Sequence, residues 1–280
     1  MHATDHIETD LALDSLDNVS LQGFIENTFG TSVGVDDMPV FPNIEALARH
    51  VAAQKTRMEV EDVDWHQLLN GPVDSLPLPS AGFAYRLASR FFKWFFHCHN
   101  SLTIEGRENI PASGACILAP NHQSFVDGPL TLSGLPWSTL GEYFFYATEE
   151  HVRSNYRRRM AAKSNIIVME RANLKSSILK LAKVLREGHR IIIFPEGART
   201  HDGQTVPFKK TFAILAKELS VPIIPVCIRG AYEALPRGSH FIKAKHIGVT
   251  YLPPIKPSPE QTYEELTRKT QDAIEGLLAQ

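Results

Sequence analysis

The residues most able to do chemistry are His122 and Asp127, five positions apart within Asn121-His122-Gln123-Ser124-Phe125-Val126-Asp127. An imidazole titrates near neutrality, so it can take a proton from an alcohol and return one to a leaving group. A neighbouring carboxylate can hold one ring nitrogen in the required tautomer, as in a serine-hydrolase triad. The chain has no Gly-x-Ser-x-Gly elbow to expose a serine nucleophile, and Ser124 is a poor substitute. The attacking hydroxyl must then come from a second substrate, which makes the reaction a transfer rather than a hydrolysis. On local grounds alone, Asp127 before Gly128-Pro129 reads equally well as a helix N-cap, and His122 as a loop histidine.

A second group of candidates lies in Phe194-Pro195-Glu196-Gly197-Ala198-Arg199-Thr200. Gly197 permits close backbone approach, and Arg199 carries a planar fork suited to phosphate oxygens. Arg171, just past the run Ile166-Ile167-Val168-Met169-Glu170, is a third. Two cations at neighbouring strand ends make a phosphate clamp; standing alone, Arg171 is equally a partner for Glu170.

These residues need rigid elements to hold them. Apolar runs at 115–119, 165–169, 190–194 and 222–228 read as buried strands, with a further one at 246–251. Helical patterns fill 174–187, 211–218 and 260–278, and Gly188 stops the first. Continuous apolar strands alternating with helices predict an α/β domain. His122 and Arg199 both follow such strands, where a fixed loop stays reachable.

Composition narrows the field. The 280 residues are 43% hydrophobic and 21% charged, an ordinary globular balance, and the formal net charge of -2 points to no nucleic-acid partner. Cys98, Cys116 and Cys227 are too few and too scattered for a disulfide framework or a zinc site, which suits a reducing compartment. The start, Met1-His2-Ala3-Thr4-Asp5-His6, lacks the pattern of a secretory signal, and no apolar run is long enough to span a bilayer. The expectation is a cytoplasmic protein, peripheral at the inner face of the membrane. Residues 83–98 supply the membrane contact: Phe83, Leu87, Phe91, Trp94, Phe95 and Cys98 share one helical face, widened by Tyr85, Phe92 and Phe96. Arg86, Arg90, Lys93 and His97 occupy the remaining arc, a pattern suited to an interfacial helix on anionic lipid. The competing reading is a core helix with its basic edge in water. Arg153, Arg157, Arg158 and Arg159 add further positive charge.

Taken together, the motifs resemble those of the glycerolipid acyltransferase family, which acylates glycerol-3-phosphate and lysophosphatidic acid. The His-x4-Asp run, the Phe194–Thr200 run and Val221-Pro222-Ile223-Ile224-Pro225-Val226 match three of its motifs in order. Ile167-Val168-Met169-Glu170-Arg171 stands where the family places a strand ending in an acceptor-binding arginine. The likeness spans about 100 to 275. It implies a mixed, mostly parallel sheet flanked by helices, and transfer of an acyl group from acyl-CoA or an acyl carrier protein to the free hydroxyl of 1-acylglycerol-3-phosphate. His122 would be the general base and Asp127 its orienting partner. Arg171, Glu196, Gly197 and Arg199 would bind the acceptor, and Pro225 would be structural. No metal or cofactor is required for the transfer. Ala198, Thr200, Thr211 and Glu170 depart from the family pattern and bear on the acceptor's identity.

Three parts are expected along the chain: a helical segment over 1–57, a linker over 58–80 ending in repeated prolines, and the catalytic body over 81–280. Within the first, Leu13-Asp14-Ser15-Leu16-Asp17 and a later run from Phe41 to Val51 resemble an acyl carrier protein that lacks its first helix. The resemblance makes Ser15 a candidate attachment point for 4'-phosphopantetheine. The alternative to an enzyme is a non-catalytic carrier and membrane-docking module of a larger lipid-synthesis protein.

Overall fold

The computed structural model describes residues 17, 20–25, 33, 41, 43–54, 64–73, 76–148, 163–169, 174–239 and 241–279. Ser15, Glu170, Arg171 and the arginines at 153 and 157–159 lie outside the described residues.

In chain order the strands are β1 Thr103–Glu105, β2 Cys116–Pro120, β3 Tyr143–Thr148, β4 Ile166–Met169, β5 Arg190–Ile192, β6 Ile223–Arg229 and β7 Gly248–Tyr251. The α-helices are α1 Ile44–Gln54, α2 Trp65–Asn70, α3 Phe83–Asn100, α4 Asp127–Ser133, α5 Leu174–Arg186, α6 Thr211–Glu218, α7 Ala231–Ala234 and α8 Tyr263–Leu278. The strands form one sheet in the order β1-β7-β6-β2-β5-β3-β4, parallel except where β7 pairs antiparallel with β6. The apolar runs predict the α/β class, and the mixed, mostly parallel sheet is the one the family resemblance implies.

Alternate side chains on each strand go to opposite faces, and two cores result. Ile117, Ala119, Ile191 and Cys227 pack with α2, α5, α6 and α8. Cys116, Leu118, Ile192 and Val226 pack with α3 and α4. Burial on both faces explains why these strands read as continuous apolar runs. A small third cluster joins Ile25, Val33, Leu47 and Val51 in the N-terminal part.

Two strands, β1 and β3, went unread in the sequence. β1 is three residues long, too short to carry a period, and pairing with β7 fixes it. The expected linker is also partly structured. Asp64 caps α2 by accepting from the Gln67 N–H at 2.8 Å, and Trp65 and Leu69 are buried against the body. Trp65, Leu68 and Leu69 have helical i, i+3, i+4 spacing behind a capping residue, a signal masked by the surrounding charge and proline.

Helix α3 buries a narrow edge formed by Ser89, Phe96 and Asn100. The Asn100 amide donates to the carbonyls of Lys243 and Lys245, both at 2.8 Å, and pins the helix end. The aromatic face points outward: Phe83 is 73% exposed, Trp94 61%, and Leu87 and Phe91 each 56%. Arg86, Arg90 and Lys93 are half-buried instead. A core helix with its basic edge in water would show the reverse. Among the described residues, no helix is long and apolar enough to cross a membrane.

Candidate active site

Because β2, β5, β3 and β4 run parallel, their C-terminal ends share one edge of the sheet, where open α/β sheets commonly bind ligands. The loop after β2 delivers His122 there, and the loop after β5 delivers Phe194 to Thr200 beside it. Asn121 locks the first loop in place. Buried completely, its amide donates to the Ile228 carbonyl at 3.0 Å and accepts from the Ile228 N–H at 2.7 Å, so the end of β2 is clipped to β6. The two loops then grip each other. The His122 N–H donates to Glu196 Oε1 at 2.7 Å, and the Thr200 N–H donates to the His122 carbonyl at 2.9 Å.

His122 Nδ1 lies 2.9 Å from Asp127 Oδ2. Asp127 is not the N-cap of α4; Val126 holds that position, and the carboxylate turns back to accept from the Ser124 N–H at 2.6 Å as well as from the ring. Full burial raises the Asp127 carboxyl above its ordinary range, while the His122 ring and nearby backbone N–H groups pull it down. With Nδ1–H donating to Asp127, the Nε2 lone pair is free to accept a proton. The ring stacks on Phe194, with centroids 4.1 Å apart, which fixes its plane. Ser124 plays another part: its hydroxyl donates to the Leu235 carbonyl at 2.7 Å.

His122 lines a mainly apolar cavity of about 470 Å³. Phe92, Pro129, Leu132, Phe145, Ile166 and Met169 supply much of its wall, so α3, α4 and the strands β3 and β4 contribute. At its edge stand Gly197 and Lys209. Gly197 has φ +72, and a Cβ there would meet Lys209 Cε at 3.0 Å. Arg199 lies over the Phe125 ring, 5.7 Å from its centroid, and is half-buried.

Glu196 differs from the sequence expectation. It is buried, and its two oxygens face the N–H groups of His122 and Val206, the second at 3.3 Å. Glu196 therefore braces the loop that carries His122. Burial, partly offset by these two N–H groups, pushes its carboxyl up to about 7. Because the folded pKa exceeds the usual 4.5, the folded state holds the extra proton between the two values. Stability from this group is therefore present at low pH and declines as pH rises through that window, by about 2–3 kcal/mol. Thermal melts of the protein and of Glu196→Gln at pH 5 and pH 8 are expected to show the decline in the first and its loss in the second.

Phe194, Asn121 and Lys209 escaped the sequence reading. Two of them lie inside runs already singled out, but a stack, a clip and a cavity-edge amine are contacts between distant segments.

A His–Asp pair in the wall of a mainly apolar cavity, with Lys209 in the same lining, is an arrangement able to take a proton from a hydroxyl beside a lipid-like group. Comparison with known proteins gives the class: a family model described as Acyltransferase matches residues 101–229. The 1-acyl-sn-glycerol-3-phosphate acyltransferase of Cocos nucifera is 30% identical over 239 residues, 79% of this chain and 71% of that protein. The alpha form from Homo sapiens is 25% identical over 54% of each chain. The crystal structure of the 1-acyl-sn-glycerophosphate acyltransferase PlsC from Thermotoga maritima superposes with a TM-score of 0.59 and 27% identity, over 70% of this chain and 79% of that one. The chain belongs to the 1-acyl-sn-glycerol-3-phosphate acyltransferase family. It spans about half the length of several relatives, including the human one and that of Limnanthes douglasii.

Proposed function

We propose that this protein transfers a fatty acyl group from an acyl thioester, carried by CoA or an acyl carrier protein, to the free hydroxyl of 1-acylglycerol-3-phosphate. The observation that carries this reading is the 2.9 Å His122–Asp127 contact in the wall of the 470 Å³ cavity. His122 Nε2 takes the hydroxyl proton as the oxygen attacks the thioester carbonyl. The tetrahedral intermediate collapses, the C–S bond breaks, and the proton passes from His122 to the departing thiolate. Asp127 holds the ring and stabilises the transient imidazolium. The apolar cavity receives acyl chain, and Arg199, with Arg171 as a second cation and Lys209 in the cavity lining, binds the acceptor phosphate.

Arg199→Ala is expected to raise the acceptor KM by about 10- to 100-fold, the value of a lost charged hydrogen bond, with kcat changed far less. Initial rates across an acceptor series test this. An unchanged KM, or an equal rise for an acceptor without the phosphate, contradicts the assignment.

The exposed aromatic face of α3 supports a peripheral position on the membrane, which we place at its inner face, where the lipid holds the acceptor. Leu87→Asp removes an exposed apolar contact and is expected to weaken binding to phospholipid vesicles by about tenfold or more without lowering Tm. Co-sedimentation beside a thermal melt measures both, and undiminished vesicle binding would overturn the membrane role of this face.

A further inference from the structure

On the other side of α3 from the reaction cavity, its basic edge meets the loops before β2 and β3. A cavity of about 300 Å³ opens there, lined by Arg90, Lys93, Arg107, Pro111, Tyr143 and Arg190. A second of about 390 Å³ shares Arg90, Lys93 and Arg107 and reaches Trp94. The two make one basic groove beside the exposed aromatic face. It lies at the N-terminal ends of β3 and β5, where Tyr143 and Arg190 begin their strands, away from the edge that carries His122.

The charges in this groove are not balanced. Among the described residues, no carboxylate pairs with Arg90, Lys93 or Arg107. They are close enough together that burial first, then Arg107 and Arg90, lower the Lys93 pKa. Arg190 forms the floor. It is buried, bonded to Glu142 and to the Pro111 and Ala112 carbonyls, and lies over the Tyr143 ring at 5.2 Å. Three cations without a carboxylate partner, Arg90 over the Trp137 ring at 5.8 Å, around a concave site suit a compact anion. Its opening beside Trp94, in the plane of the aromatic face, favours an anion presented by a lipid surface.

We propose that this groove binds the phosphomonoester headgroup of an anionic phospholipid, at a site separate from the reaction cavity. A phosphomonoester carries up to two negative charges, against one for a phosphodiester, and so suits three clustered cations best. A lipid held there fixes how α3 lies on the bilayer while the cavity on its other side stays free for substrate. The inference rests on the membrane-facing reading of α3.

The test is vesicle co-sedimentation of the full chain in three arms: phosphatidylcholine alone, with phosphatidic acid, and with phosphatidylglycerol at matched surface potential. Phosphatidic acid is expected to tighten binding by about fivefold or more over the neutral arm, and to exceed phosphatidylglycerol. Arg107→Glu, on a loop outside α3 and outside the reaction cavity, is expected to abolish that gain while keeping neutral-vesicle binding, Tm and transfer to a short-chain acceptor in solution. Arg199→Ala keeps the gain, which separates the groove from the acceptor site. Equal gains from both anionic lipids, or a gain that survives Arg107→Glu, overturns the proposal. So does saturation by inorganic phosphate alone in calorimetry, which makes the ligand a free anion, or Arg107-dependent binding of acyl carrier protein instead of vesicles. Loss of binding in every lipid arm refutes the membrane reading itself, whereas neutral binding without a phosphatidic acid gain refutes only the groove.

Discussion

Replacing His122 with alanine is expected to lower kcat for acyl transfer by about 10²- to 10⁴-fold, the range of a positioned general base. In the proposed mechanism the side chain performs the proton transfer, whereas the backbone of the same residue holds the loops together through Glu196 and Thr200. Alanine keeps those two hydrogen bonds and removes only the ring from between Asp127 and Phe194. The loop therefore stays in place, and the acceptor KM, set at Arg199, changes much less than kcat. Steady-state kinetics with a thermal melt checks this. If activity falls only because the protein has melted, or if KM carries the loss, the base assignment is wrong. Asp127, deprived of its imidazole, remains buried beside the Ser124 N–H, so its carboxyl is expected to shift further toward the neutral form.

Asp127→Asn is expected to cost on the order of 10³-fold in kcat with the fold retained, as orienting carboxylates do in comparable His-carboxylate pairs. A single Asp127 oxygen serves both the His122 ring and the Ser124 N–H, at 2.9 and 2.6 Å. An asparagine oxygen can accept from both but carries no negative charge to stabilise the imidazolium. Its amide nitrogen, turned toward the ring, would accept nothing from Nδ1–H and would favour the tautomer that protonates Nε2. Either arrangement leaves a weaker base. The measurement is kcat at saturating acceptor and donor, with Tm as control. A loss of tenfold or less would mean that Asp127 is only a structural tie for the loop.

The fold was legible in the sequence where burial is two-sided and local. β2, β5 and β6 announce themselves as apolar runs, and α5 and α8 by helical periodicity, each ending within a few residues of the observed bounds. Sheet order and the short β1 were not legible, because pairing of Thr103 with Gly248 is a contact across most of the chain. The candidate site divides in the same way. His122 and Asp127 lie five residues apart, Asp127 opening α4, so their spacing allowed contact but read equally well as a loop histidine and an N-cap. The Asn121 clip to Ile228 and the Phe194 stack join segments that only the sheet brings together. Glu196 shows the limit most clearly: by itself its run reads as a turn, the family resemblance makes it an acceptor-binding group, and only the fold reveals that both oxygens face backbone N–H groups. Helix α3 was the opposite case. Its wheel fixed which residues share a face, but only packing against the body showed that the aromatic face is the outward one.

The most direct test of the central claim is to incubate the purified protein with a labelled acyl thioester and 1-acylglycerol-3-phosphate, and to quantify diacyl product against released thiol. The expected result is equal amounts of both, dependent on the acceptor and abolished in His122→Ala. Thiol released without diacyl product, or product formed equally well by His122→Ala, would contradict an acyl transfer driven by this histidine.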